Sequence, residues 1–175
     1  MTPAGPFVIA VRTSLLLVVA VTVQLSVASR IEVFGVQGDL MLLIAAMAGL
    51  AAGPDRGAVV AFATGIAFDL VLQSPFGLSA LVYVIVAYVV GSLQDTVLRA
   101  AWWIPSATAA IGSLFGVILY GVFGTILGRD LVDPALLRIA AVVAVLNALA
   151  APLVLPVVRW ATDTRDSVRA RAIMR

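Results

Sequence analysis

Apolar residues fall along this chain in six continuous runs, Phe7 to Ser29, Val36 to Gly53, Gly57 to Leu72, Leu78 to Leu93, Trp102 to Leu127 and Ala135 to Val158. None alternates polar with apolar positions, so helices are expected in preference to a barrel. Each gap carries turn or charge signals: Arg30-Ile31-Glu32, Pro54-Asp55-Arg56, Gln73-Ser74-Pro75-Phe76-Gly77, Gln94-Asp95 through Arg99, and Gly128-Arg129-Asp130 through Asp133-Pro134. Links this short make successive helices antiparallel neighbours. A bilayer core about 30 Å thick takes roughly 20 helical residues per crossing. The second and third runs fall short of that, and Pro54-Asp55-Arg56-Gly57 between them reads as a tight turn closing a helical hairpin. The pattern predicts an all-α polytopic membrane protein, a bundle of about six transmembrane helices. Residues 1–160 are expected to form one membrane domain, and 161–175 a short basic cytoplasmic tail.

Composition then narrows the chemistry. Of 175 residues, 63% are hydrophobic and 11% charged, against about half and a quarter in soluble domains; such a chain cannot cover itself with polar surface. It contains neither cysteine nor histidine, which removes disulfides, thiolate nucleophiles, imidazole bases and nearly all zinc chemistry. No cofactor, no metal and no enzymatic activity are expected.

Arginine is the only basic residue and sets the orientation. With a cytoplasmic N-terminus, Arg12, Arg56, Arg99, Arg159, Arg165, Arg169, Arg171 and Arg175 lie inside, and Arg30, Arg129 and Arg138 outside, as the positive-inside rule favours. Trp102, Trp103 and Trp160 then gather at the inner interface, which suits amphipathic rings. Both termini are expected in the cytoplasm. In the tail, Arg165, Arg169, Arg171 and Arg175 are placed to meet anionic lipid headgroups; nothing there points to nucleic acid. Ser26-Val27-Ala28 could be read as a signal-peptide cleavage site, but Phe7 to Val11 extend the apolar run upstream of Arg12, whose stem can snorkel to the interface. A retained first helix is the expectation.

Small residues four apart let helix backbones approach closely in lipid. Gly57, Ala61 and Gly65 form one such ridge, with Asp69 on the same face; Gly112, Gly116, Tyr120, Gly124 and Gly128 form a second; Ala140, Ala144 and Ala148 form a third, continued by Pro152 and Pro156, which free helix carbonyls and predict a bend. These ridges serve either internal packing or the docking of a foreign helix, for which Gly57, Ala61, Gly65, Asp69, Gly112, Gly116 and Gly124 are the candidate residues.

Two carboxylates need explaining, because one deep in hydrocarbon costs a few kcal/mol unless paired or hydrated. Asp39 and Asp69 are nearly equidistant from Asp55 and so reach similar depth near the outer leaflet. Gln24, Gln73, Arg138 and Asn147 are the available partners, and Asp39, Asp69, Arg138 and Asn147 are expected to form an outer polar cluster. Asp39 is also well placed as a helix N-cap; Asp69, near the end of its helix, is not. Paired aspartates raise the possibility of an intramembrane protease sharing one proton, but the Gly-x-Gly-Asp signature is Val36-Gln37-Gly38-Asp39 here, and the match fails.

The stretches Gly38-Asp39-Leu40-Met41-Leu42-Leu43, Gly57-Ala58-Val59-Val60-Ala61-Phe62-Ala63-Thr64-Gly65-Ile66-Ala67-Phe68-Asp69-Leu70 and Ser74-Pro75-Phe76-Gly77-Leu78-Ser79-Ala80-Leu81 resemble the rod shape-determining MreD family of bacteria. Gly38 stands where a proline is common in that family. The resemblance implies a multi-pass protein of the bacterial cytoplasmic (inner) membrane. It also implies a non-enzymatic scaffold of cell elongation and lateral peptidoglycan synthesis, binding a bitopic MreC-like partner and, through it, an MreB-like filament and the elongation peptidoglycan synthases. A fold similar to the substrate-binding subunits of energy-coupling-factor vitamin transporters is implied as well. Capture of a vitamin by an outer pocket near Asp39, Asp69 and Asn147 is therefore the alternative function, although that half of the chain is poor in the aromatic and polar groups such pockets use.

Overall fold

A computed structural model describes residues 6–26, 32–71, 76–94, 103–129 and 134–162. Its elements are helix α1 (Pro6–Ser26), a hairpin of strands β1 (Glu32–Val33) and β2 (Val36–Gln37), and helices α2 (Leu40–Ala52), α3 (Pro54–Asp69), α4 (Leu78–Ser92), α5 (Ile104–Ile126) and α6 (Pro134–Thr162). Among the described residues six helices are present, forming the expected bundle. Three of them, α1, α5 and α6, are long and apolar enough to cross a bilayer by themselves.

The second helix explains how the others are arranged. All residues from Met41 to Leu50 are buried, so α2 is apolar on every side because it has no lipid-facing side. It is enclosed by α3, α4, α5 and α6, with α1 touching it more lightly. Its 13 residues span about 20 Å, less than a bilayer core, and a helix wrapped in other helices needs no more. By contrast α6, with 29 residues, is about 43 Å long and carries Pro152 and Pro156 without interruption.

Two boundaries differ from the sequence reading. Val36 and Gln37 belong to the hairpin, where Glu32 pairs with Gln37 and Val33 with Val36. Phe34 and Gly35, with φ of 54° and 75°, make the tight two-residue turn whose twist suits antiparallel strands. Likewise Pro54-Asp55-Arg56 is no turn but the first turn of α3, where Pro54 occupies a position that needs no N–H donor. The reversal between α2 and α3 is made by Gly53 alone, at φ 86° and ψ 177°, a conformation essentially confined to glycine.

Backbones meet closely around this hairpin. A Cβ on Gly49 would collide with the carbonyl of Ala87, one on Gly57 with the backbone of Gly49, one on Gly65 with Ala80, and one on Gly91 with Gly53 and Pro54. Helices α2, α3 and α4 are thus a tightly seamed unit. The α5–α6 hairpin packs along it, with Gly112 over Ala46 and Val86, and Gly116 over Leu42.

Candidate functional site

The N-terminus of α2 does not reach the end of the bundle. Asn147, midway along α6, donates from Nδ2 to the Asp39 carbonyl (3.0 Å) and to Ser113 Oγ on α5 (2.8 Å). Asp39 therefore lies level with the middle of the two longest helices, where water is scarce and free N–H groups of a helix start are costly.

Side chains from other helices satisfy this buried start. Gln24 of α1 accepts from the Leu40 N–H through Oε1 (2.8 Å) and donates to the Gly38 carbonyl (3.0 Å). Asp39 acts as the N-cap, its Oδ1 accepting from the Leu42 N–H at 2.9 Å. Tyr83 of α4 donates its hydroxyl to the same carboxylate, 3.1 and 3.0 Å from the two oxygens, and its ring stacks on Phe68 with centroids 6.2 Å apart. Three helices, α1, α4 and α6, thus hold the start of α2, with Ser113 of α5 behind Asn147.

Asp69 does the corresponding work for α4. Its carboxylate accepts from the N–H groups of Gly77 (2.8 Å), Ser79 (3.3 Å) and Ala80 (3.4 Å). The acid at the end of one helix caps the start of the next, which accounts for a charge that its own helix dipole disfavours. Leu42 N–H and the Tyr83 hydroxyl donate to Asp39, and the N–H groups of Gly77, Ser79 and Ala80 to Asp69.

Of the expected outer cluster, Asp39 and Asn147 come together, joined by Gln24, Tyr83 and Ser113; Asp69 is engaged beside them at the start of α4. Arg138 is exposed on α6 and takes no part in the hydrogen bonds just described. Gln73 and the tail arginines Arg165, Arg169, Arg171 and Arg175 lie outside the described residues. Tyr83 and Ser113 were not singled out in the sequence. The usable signal for Tyr83 was a phenol in the apolar run Leu81-Val82-Tyr83-Val84, where a hydroxyl must find a partner.

The small-residue ridges face the bundle's own helices. Gly57, Ala61, Gly65, Gly112, Gly116 and Gly124 are all buried, and Asp69 is 4% exposed. The α3 ridge is filled by α2 and α4, so a foreign helix has no access to it. Gly112 differs, because it forms the floor of an apolar groove of about 310 Å³ between α4 and α5, lined by Val86, Val89, Val90, Leu93, Thr108, Ile111 and Phe115.

The family described as rod shape-determining protein MreD matches residues 5–160. The chain belongs to the MreD family. It is accordingly a polytopic membrane protein of a family that determines rod shape and is structural, not enzymatic. The match covers the described helices from α1 to nearly the end of α6, so the buried α2 and both capped helix starts lie within the matched region. No curated protein and no solved structure matches the chain.

Proposed function

We propose that this MreD-family protein is a non-enzymatic scaffold of the bacterial cytoplasmic membrane, holding the single transmembrane helix of an MreC-like bitopic partner during lateral peptidoglycan synthesis. Through that partner it meets an MreB-like filament and the elongation synthases. The family match over residues 5–160 carries the reading. Both termini face the cytoplasm, the orientation that the arginine asymmetry favours. The Arg12 guanidinium lies 5.1 Å from the centre of the Trp160 ring, which supports this by putting the start of α1 and the end of α6 at one end of the bundle. Arg165, Arg169, Arg171 and Arg175 follow α6 in the sequence, and cytoplasmic-leaflet anionic headgroups are the partners such a basic tail attracts.

The docking surface is the α4–α5 groove. Its rim residues Val89, Leu93, Ile111 and Phe115 are apolar and exposed, while Gly112 lies beneath them, packed against Ala46, Val86 and Val90. Ile111→Trp fills this groove from a side chain that is 69% exposed, so the bundle's own packing is spared. Co-purification of the partner is expected to fall about tenfold or more, and cells relying on this variant to become round. Val18→Trp, on the lipid-facing side of α1, is expected to do neither. Undiminished capture by the Ile111→Trp protein would remove the groove from the account.

The vitamin-capture alternative has one observation in its favour, a cavity beside Asp39.

A further inference from the structure

Because α2 begins at mid-depth, space is left above it. A cavity of about 290 Å³ lies there, walled by α1, the hairpin and α2 to α6, and its lining includes Asp39, Tyr83, Tyr120 and Phe68 together with apolar Leu42, Val82, Val117, Ile139 and Val143. The volume approaches the lower end of small-molecule sites, about 300 Å³, and a mostly apolar wall with a few convergent polar groups is their usual composition.

The charge of the wall decides what fits. Asp39 supplies a carboxylate, and among the described residues no arginine lines the cavity. The dipole of α2 offsets about half of that charge, and the hydrogen bonds from Tyr83 and the Leu42 N–H are neutral. An acid at membrane depth ordinarily has a cationic partner. Around it stand three aromatic rings, Phe68, Tyr83 and Tyr120, whose faces attract cations. The Tyr83 hydroxyl gives its proton to Asp39 and so offers only lone pairs to the cavity.

We propose that this cavity is a binding site for a ligand with a compact ammonium group and an apolar body, the ammonium seated between the Asp39 carboxylate and the rings of Phe68, Tyr83 and Tyr120. The group can come from a free amine or from the headgroup of an ethanolamine lipid. This assignment does not depend on the partner-helix reading.

The test uses the full chain in phosphatidylcholine nanodiscs, with 2-phenylethylammonium as probe and 2-phenylethanol as its uncharged counterpart, read by thermal unfolding and calorimetric titration. Saturable binding of the ammonium compound alone is expected. Asp39→Asn keeps an oxygen to cap α2 but loses the charge, and is expected to weaken binding by about tenfold or more. Val117→Trp fills the cavity from a wall that takes no part in the cap, and is expected to abolish binding with the fold intact. Nanodiscs containing phosphatidylethanolamine separate the sources: reduced probe affinity there identifies the lipid headgroup, and unchanged affinity a free amine. Equal stabilisation by amine and alcohol, no saturable binding, or full binding by either variant would overturn the proposal.

Discussion

At the scale of residues, what decides the packing is where a methyl group can be placed. Gly65 and Gly112 were read from the sequence as members of equivalent ridges, but their surroundings are unlike. A Cβ on Gly65 would overlap the backbone of Ala80, whereas one on Gly112 would meet Ala46 Cβ at 3.5 Å, an ordinary contact. Gly65→Ala is therefore expected to destabilise the protein by about 1–3 kcal/mol, the range for overpacking, and Gly112→Ala to change it little. Thermal unfolding of the two variants in one detergent checks this, and similar midpoints would show that the α3–α4 seam is looser than described. The distinction was not legible in the sequence, since a glycine four residues from another does not say whether its neighbour is backbone or side chain.

Among the elements, α2 shows how far a pattern of apolar residues can be read. Its existence was plain from Leu40 to Ala52, but its start was not, because Val36 prolongs the apolar run into the hairpin. The mark of that hairpin, a glycine in the second turn position at Gly35, is weak when a phenylalanine occupies the first. Asp39 as N-cap and Asn147 and Gln24 as its neighbours were within reach of sequence reasoning, since a polar side chain in lipid must be satisfied and few are available. The role of Asp69 was not, because it acts on the next helix across residues that give no spacing rule. Asp69→Leu removes the acceptor of three N–H groups at the start of α4 and should cost about 2 kcal/mol, from loss of a cap and of buried hydrogen bonds. Asp69→Asn, which keeps one acceptor oxygen, should cost less. Unfolding of the two variants measures the difference, and equal loss would mean that charge, not capping, is what Asp69 supplies.

For the molecule as a whole, the account needs an orientation and a partner. The absence of cysteine makes single introduced thiols unambiguous reporters. Phe34→Cys at the tip of the hairpin should react with a membrane-impermeant maleimide added outside intact cells, and Trp103→Cys at the start of α5 only after the inner face is opened; the reverse pattern would invert the bundle. The most direct test of the scaffold is photo-crosslinking in living cells from a reactive residue at position 111 or position 18. Position 111 should yield an adduct with a protein of one transmembrane span, and position 18 should not. Rod-shaped cells with no adduct at 111, or equal adducts at both positions, would contradict it.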